Sequence, residues 1–197
     1  MRLLTFAIPF CICSALVGQT RQYQNLLDTA LKGHGALIIC SKPITNVKLD
    51  QREMLNYFYS HRDYANKLLD TIMFAGIVKN SKSVDTTQWQ DNELEGYLLV
   101  SNRDINVPMG YVIRKLGRTK KNEIKTCKNE VRLYNSTDGY NRNLYYFSRP
   151  VFDNSKKYAI VQWDNAHGGL GGSGGITLYQ LLGNTWTEAG IIINWKY

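Results

Sequence analysis

Apolar residues in the first part of the chain recur with the period of an α-helix. One set predicts a helix with a single apolar face that ends at Gly33 in a C-cap position; its members are Tyr23, Leu26, Leu27, Ala30 and Leu31. A second helix is predicted to begin at Asp50, with Glu53 three residues later as in a capping box, and to run to Gly76. Its apolar stripe consists of Tyr57, Tyr64, Leu68 and Ile72. The pattern also fits two shorter helices that break near Ser60.

From Leu94 onward the apolar residues form short β-branched and aromatic runs, which are typical of strands. The candidate strands are 97–100, 111–113, 131–134, 144–147, 158–163, 176–181, 185–187 and 191–195, with an earlier one at 36–40. Gly183 and Asn184 predict a hairpin turn. Because this pattern predicts no helix between the later strands, it favours an antiparallel sheet over βαβ units. The predicted fold class is α+β, with one or two N-terminal helices packed on a curved antiparallel β-sheet.

The N-terminus has the composition of an export signal. Arg2 precedes an almost uninterrupted apolar run from Leu3 to Val17, and a polar stretch begins at Gly18. The run is short for a membrane span and has the layout of a secretory signal. A chain of 197 residues otherwise corresponds to about one domain. We therefore predict a cleavable signal peptide over 1–18, one α+β domain over 19–197 without a transmembrane segment, and export to the periplasm or the medium.

Two cysteines, Cys40 and Cys127, remain after removal of that peptide. In an oxidising compartment they are a candidate disulfide, which would stabilise the fold by on the order of 4 kcal/mol. The alternative is a pair of buried thiols that pack as small hydrophobic groups. The sequence leaves both interpretations open.

The net charge of +8 is concentrated between positions 110 and 132. This basic patch consists of Arg114, Lys115, Arg118, Lys120, Lys121, Lys125, Lys128 and Arg132, against Glu123 and Glu130. Such a patch could attract an anionic polymer or an acidic protein. The alternative interpretation is a solvated hairpin whose lysines protect a sheet edge.

Glycine fills six of the eight positions from Gly168 to Gly175, between two predicted strands. This stretch predicts a loop used as a tight turn or a binding surface. It contains G-x-G-x-x-G and G-x-S-x-G patterns, but both motifs need a helix directly after them. The residues from Ile176 onward are typical of a strand. A dinucleotide site and an α/β-hydrolase elbow are therefore rejected.

The most site-like residues flank this glycine stretch. They are Trp163, Asp164, His167, Ser173 and Tyr179, which are predicted to form a small recognition surface. The alternative is turn chemistry, in which Asp164 bonds to the backbone of its own loop. The three histidines are widely separated and lie in no metal-binding motif. No pattern predicts a catalytic set, a metal site or a cofactor.

The segment from Phe147 to Val161 contains Ser-Arg-Pro-Val-Phe, a charged turn and Ala-Ile-Val, and the glycine stretch and a tryptophan hairpin follow it up to Trp186. It resembles a class of small uncharacterised exported proteins of Gram-negative bacteria. That class commonly has cysteines in the glycine segment, where this chain has Leu170 and Ser173. The resemblance implies export and a fold but no activity. The segment also resembles one blade of a TolB-type β-propeller, which needs several such blades.

These observations favour a non-catalytic exported module that binds a partner through the glycine loop and nearby aromatic residues. The partner would be another exported protein or an anionic surface polymer, because an exported protein is not expected to meet nucleic acid. One alternative is a cell-wall or polysaccharide hydrolase that uses dispersed carboxylates, with Glu93, Glu95, Asp164 and Glu188 as candidates. Another is anion binding by the basic patch.

Overall fold

The computed structural model describes residues 23–35, 37–49, 71–101, 106–116, 121–137, 142–167 and 171–196, together with positions 52, 55, 56 and 60. For residues 71, 121–124, 166 and 167 only the backbone is described. The predicted signal peptide lies outside this part of the chain, as do Arg118, Lys120 and most of the predicted second helix.

The described residues form four helices and seven strands. The helices are α1 (23–33), α2 (Thr71–Ser81), α3 (Met109–Leu116) and α4 (Lys121–Ser136). The strands are β1 (Ile38–Cys40), β2 (Leu98–Val100), β3 (Leu144–Phe147), β4 (Val151–Phe152), β5 (Tyr158–His167), β6 (Gly171–Leu182) and β7 (Thr185–Lys196). Positions 52, 55, 56 and 60 are helical as well.

All seven strands belong to one sheet, with the order β2-β1-β3-β5-β6-β7 and with β4 paired to β5. The pairs among β3, β4, β5, β6 and β7 are antiparallel, which confirms an α+β fold with an antiparallel-rich sheet. The sheet is mixed, however, because β1 runs parallel to both β2 and β3. Parallel neighbours need crossovers, and the connection from β1 to its neighbour β2 contains α2. The chain then passes through α3 and α4 before it returns to the other side of β1 as β3.

Helix α1 packs on one face of the sheet through the apolar face that its spacing predicts. Leu26, Leu27, Ala30 and Leu31 are buried there with Val161 and other apolar side chains of the sheet. Gly33 is the last helical residue, as predicted. The left-handed backbone that closes the helix is at Gly35, with a φ of 60°.

The opposite face of the sheet is covered by the other three helices. Helix α2 contributes Met73, Phe74 and Ile77 to a cluster over β5 and β6. Helices α3 and α4 pack over β1 and β2, with Val112 and Val131 fully buried. This face therefore has two apolar clusters, one toward each edge of the sheet.

The predicted strands at 111–113 and 131–134 are wrong, because these residues lie in α3 and α4. In α3 the buried residues Val112 and Leu116 are four positions apart, which is the spacing of one helix face. Short apolar runs fit either element, so the local pattern alone does not distinguish a helix from a strand here.

The predicted apolar stripe of the second helix is also wrong where it can be compared. The Ile72 side chain is 76% exposed, and the buried line of α2 runs through Met73, Phe74 and Ile77. The buried face is therefore rotated by about one residue, or roughly 100°. The helix also continues past Gly76 to Ser81. The stripe positions Tyr57, Tyr64 and Leu68 lie outside the described residues.

The prediction of a glycine loop from 168 to 175 is wrong for its second half, because Gly171 to Gly175 belong to β6. A side chain at Gly174 would collide with the indole of Trp195. At Gly175 a Cβ atom would lie 2.7 Å from the Ile193 carbonyl oxygen and 3.2 Å from the Trp163 indole nitrogen. These glycines are needed for close packing inside a strand. The strand at Ile176 is confirmed, and no helix begins there.

Candidate functional site

The structure separates the residues that the sequence predicts as one recognition surface. Trp163 and Asp164 are consecutive in β5, so their side chains lie on opposite faces of the sheet. Trp163 is half-buried on the α1 face, with its ring centroid 4.2 Å from that of His34. Burial lowers the pKa of His34 and favours the neutral imidazole.

Tyr179 is a core residue, which corrects its predicted exposure. Its side chain is 2% exposed and belongs to the cluster beneath α1. Burial, followed by the nearby Glu188 charge, raises the pKa of Tyr179. Ser173 is half-buried opposite Asn165 in the β5–β6 ladder. The side chain of His167 lies outside the described part of the chain.

Asp164 lines a cavity of about 470 Å³ on the face of the sheet that also has α2, α3 and α4. We name this cavity the central crevice. It lies over β3 and β5, and the segment after β1 forms its rim. Its polar residues are Thr45, Asn46, Lys48, Tyr146, Gln162 and Asp164.

Strand register explains why the floor of the central crevice is polar. Tyr146 lies directly opposite Asp164 in the β3–β5 ladder, so the two side chains share a face. Gln162 is two positions before Asp164 and therefore faces the same way. Three polar side chains thus replace the apolar residues that cover this face elsewhere.

Hydrogen bonds fix the rim to the floor. The buried Gln162 accepts a bond at Oε1 from the Lys48 backbone N–H, at 2.9 Å. The Gln162 backbone N–H donates to Ser148 Oγ at 2.9 Å, and the Ser148 N–H donates back to the Gln162 carbonyl at 2.8 Å. The rim is therefore held to β5 at Lys48 and to the end of β3 at Ile44, whose N–H donates to the Phe147 carbonyl at 3.0 Å. The buried Gln162 amide thus positions the rim, so the folded protein itself determines the shape of the cavity.

The central crevice combines opposite charges with neutral donors and acceptors. Burial raises the pKa of Tyr146, and the charges of Cys40, Tyr134 and Asp164 act in the same direction, so its hydroxyl stays a hydrogen-bond donor. Lys48 is exposed at the rim. A carboxylate, an amide, a phenol and an ammonium group suit the binding of a polar molecule.

The sequence predicts Asp164 but misses its neighbours in the central crevice. Gln162 could have been found, because two polar residues at alternate positions of a buried strand mark one polar face. Lys48 and Tyr146 could not, because they belong to segments that only the parallel pairing of β1 and β3 brings together.

The basic patch lies on two helices and not on a hairpin. Arg114 and Lys115 are on α3, and Lys121, Lys125, Lys128 and Arg132 are on α4. Lys115 lies 3.2 Å from the Asp91 carboxylate and forms an ion pair with it. Lys125 and Arg132 are exposed, and neither pairs with a carboxylate in the described part of the chain.

Cys40 and Cys127 are not joined by a disulfide bond. Cys40 is buried in β1 and Cys127 is half-buried on α4. Burial raises the pKa of Cys40, which keeps the thiol protonated. The structure corresponds to the second of the two interpretations, in which the cysteines pack as small apolar groups.

The four candidate carboxylates of a hydrolase lie in different environments. Glu93 accepts two hydrogen bonds from Arg149, at 2.6 and 3.0 Å, so it serves an ion pair. Glu188 is exposed on β7, and Glu95 is exposed in a turn before β2. Of the four, Asp164 alone lines the central crevice. This arrangement offers no support for a pair of catalytic carboxylates.

Comparison with protein-family models, with curated proteins and with solved structures found no match to this chain. The functional argument therefore depends on the geometry of its own residues. In the described part of the chain, no group of three or more His, Cys, Asp or Glu side chains could hold a metal ion. None of the described helices is long and apolar enough to cross a bilayer.

Proposed function

We propose that this chain is an exported, non-catalytic binding protein that holds a small polar molecule in the central crevice. The observation that supports this most directly is the polar floor formed by Tyr146, Gln162 and Asp164 at the centre of the sheet. Buried polar groups have a desolvation cost, which a ligand with matching groups would offset. A volume of about 470 Å³ is in the range of small-molecule sites.

The mixture of groups favours a molecule rich in hydroxyl groups, such as a sugar unit. Each hydroxyl both donates and accepts, so it can donate to Asp164 and accept from Gln162, Tyr146 or Lys48. A purely anionic ligand would be repelled by Asp164, and a purely cationic one by Lys48. Of the residues that the sequence predicts as a recognition surface beside the glycines, Asp164 belongs to this cavity.

The test titrates a panel of hexoses, amino sugars and uronic acids into the protein and measures the backbone amide chemical shifts by NMR. We expect at least one panel member to shift the resonances of 43–48 and 162–164, and Asp164→Asn to weaken its binding tenfold or more. Glu188→Gln is the matched control, because it removes an exposed carboxylate on β7. Equal affinity for Asp164→Asn, or no shift in these residues with any sugar, contradicts the proposal.

Export is supported by the apolar run from Leu3 to Val17 after Arg2 and by the resemblance of 147–186 to exported bacterial proteins. Expression of the full chain in a Gram-negative bacterium, followed by N-terminal sequencing of the accumulated product, tests this part. A mature N-terminus near position 19 in the periplasm or medium is expected. An intact Met1 in the cytoplasm contradicts it.

A second candidate function is adhesion to an anionic polymer, and the geometry of α4 favours it. The positions of Lys121, Lys125, Lys128 and Arg132 are spaced by four, three and four residues, so they fall within an arc of about 60° on one side of the helix. This stripe is about 16 Å long. We expect binding to immobilised heparin to fall steeply with salt and to be lost when Lys125, Lys128 and Arg132 become Gln. A flat salt response contradicts it.

A further inference from the structure

The two edges of the sheet differ in length and in what covers them. At one edge, β2 has three residues, and its outward Leu99 N–H donates to the Tyr111 hydroxyl at 3.1 Å. At the other edge, β7 has twelve residues and contains no proline. No strand of the described residues pairs with the outer side of β7. A long edge of this kind presents backbone N–H and C=O groups with which another strand can pair.

The ladder between β6 and β7 shows which residues of β7 direct their backbone groups outward. The Leu181 N–H donates to the Lys157 carbonyl beside β5, at 2.8 Å, so Leu181 does not bond to Trp186, the residue opposite it in β7. Trp186 therefore directs its backbone groups away from β6. In agreement, its carbonyl oxygen lies 3.5 Å from the Thr29 hydroxyl of α1. Helix α1 thus approaches the edge only at the beginning of β7.

Alternation along the ladder extends this assignment to the rest of β7. Every second residue of β6 before Leu181 has the same orientation, and the residue opposite it in β7 points outward. These outward residues are Glu188, Ile191, Asn194 and Lys196. Bulges after Glu188 and after Ile191 each add one residue to β7, so the outward positions are three apart there. All four side chains are exposed, and they share the face on which Tyr179, opposite Glu188, packs beneath α1.

The series of outward residues is symmetric about Ile191, whose side chain is 44% exposed. Glu188 precedes it by three positions and Asn194 follows it by three. A twofold axis through Ile191 would therefore place Glu188 of one copy opposite Asn194 of a second copy. Ile191 would lie opposite its own equivalent, as in any isologous contact. The bulges keep this match because they lie at equal distances on either side of the centre.

The charges at the two ends of the series are opposite. In this antiparallel register, Lys196 of the second copy is a diagonal neighbour of Glu188, at a separation that long side chains bridge. The twofold axis repeats the pair, so two Glu–Lys contacts would flank the central contact between the Ile191 side chains. Opposite charges across strands favour pairing, whereas like charges oppose it. The edge is thus complementary to itself, which favours a second copy over an unrelated strand.

We propose that two copies of this chain pair through β7, antiparallel and related by a twofold axis at Ile191. The two sheets then continue into one another across the interface, as in other cases of strand addition. The interface is independent of ligand binding in the central crevice, which lies over β3 and β5.

The test is sedimentation equilibrium of the protein over a wide range of concentration, which gives its mass and the dissociation constant of the dimer. We expect wild type to form a dimer. Glu188→Lys and Lys196→Glu each bring like charges together across the interface, so each should raise the dissociation constant tenfold or more. The double variant, with Glu188→Lys and Lys196→Glu, restores opposite charges and should return the constant to near the wild-type value.

Two controls separate this interface from general surface effects. Glu95→Lys makes the same charge change at an exposed position before β2 and should leave the dimer unchanged. Ile191→Lys places two ammonium groups at the axis and should abolish the dimer. Leu182→Lys, at a 53% exposed apolar residue beside the hairpin turn, should not.

Several outcomes would overturn the proposal. Wild type that stays monomeric at every concentration would mean that the bulges protect the edge, and a larger oligomer would mean a different interface. A dimer that tolerates the single changes at Glu188, Ile191 and Lys196 would exclude β7. A double variant as weak as the single ones would exclude this register. Because Glu188 and Lys196 are exposed, the charge series remains decisive if Ile191→Lys does not fold.

Discussion

Strands β5, β6 and β7 follow one another along the chain and pair over ten residues at each interface, whereas β2, β1 and β3 pair over three residues or fewer. The long antiparallel end is held by its own ladders and by apolar packing. At the short parallel end, the strands are connected by long chain segments that leave the sheet. The central crevice, with its mixed polar groups, lies at the border between this parallel end and β5. Because the ladders are short, there is space beyond the ends of the strands, and polar side chains line this space.

The parallel end compensates for its short ladders with polar clamps. The buried Arg149, just after β3, binds Glu93, the Tyr23 hydroxyl and the carbonyl groups of Thr87 and Gln88. It thereby ties α1 and the segment before β2 to the sheet. No comparable clamp is needed between β5, β6 and β7, where successive strands are neighbours.

The largest expected effect comes from Arg149→Met. The change leaves the partly buried Glu93 without its partner and several backbone carbonyls without a donor, so we expect a loss of about 3–5 kcal/mol in the free energy of unfolding. Urea unfolding followed by fluorescence measures it. The control is Lys115→Met, whose partner Asp91 is 58% exposed, and there the loss should be under about 1 kcal/mol. Similar losses in both variants would contradict the clamp.

At the antiparallel end the corresponding test is Gly174→Val. Its side chain would collide with Trp195, and overpacking of this kind costs about 1–3 kcal/mol. Gly171→Val is the matched control, because it is the same change in the same strand with no atom within 4 Å of the new Cβ. Thermal unfolding of both variants separates packing from strand propensity. If they lose stability equally, the glycines serve no packing role.

The same contrast explains what the sequence could predict. The antiparallel end follows from local pattern, since the β6–β7 hairpin turns at Gly183 and Asn184 and the apolar runs on either side are strands. The parallel end depends on contacts between distant segments, such as Ile39 beside Tyr145, which no local pattern contains. The wrong prediction of strands at 111–113 and 131–134 has a different reason, because their short apolar runs fit both a helix and a strand.

The candidate sites follow the same division. Asp164 could be predicted because it ends an apolar run in a single strand. Lys48 and Tyr146 could not be joined to it from sequence, because they belong to segments that only the pairing of β1 with β3 brings together. The glycine stretch from 168 to 175 has the composition of a binding loop, but Gly174 and Gly175 are needed for close contact with Trp195 and Trp163.

A smaller effect is expected at Asn135, which clamps α4 to the segment before α3. Its Nδ2 donates to the Val107 carbonyl at 3.0 Å, and its Oδ1 accepts from the Val107 N–H at 2.8 Å. Because Val107 is buried, Asn135→Ala leaves an unsatisfied N–H and should cost about 1–2 kcal/mol. Asn129→Ala, at an exposed position of the same helix, controls for helix propensity. Equal stability of the two variants would exclude the clamp.

The last expected effect is a dependence on pH that originates at the parallel end. Burial alone would raise the pKa of Glu93, but the hydrogen bonds from Arg149 and from the Gln90 N–H, with the Arg149 charge, lower it below its usual value. The unfolded state therefore binds a proton before the folded state does as the pH falls. Stability from this group is complete above the unfolded pKa of about 4 and is lost as the pH falls through the lowered folded value.

Urea unfolding at pH 7 and pH 3 measures this dependence. Wild type should lose more stability on acidification than Glu93→Gln, because the variant has no carboxyl group to protonate at this site. Glu95→Gln, an exposed change two residues away, should keep the wild-type dependence. If Glu93→Gln shows the same loss between the two pH values as wild type, acid sensitivity originates elsewhere in the chain. The polar clamp would then not distinguish the parallel end from the antiparallel one.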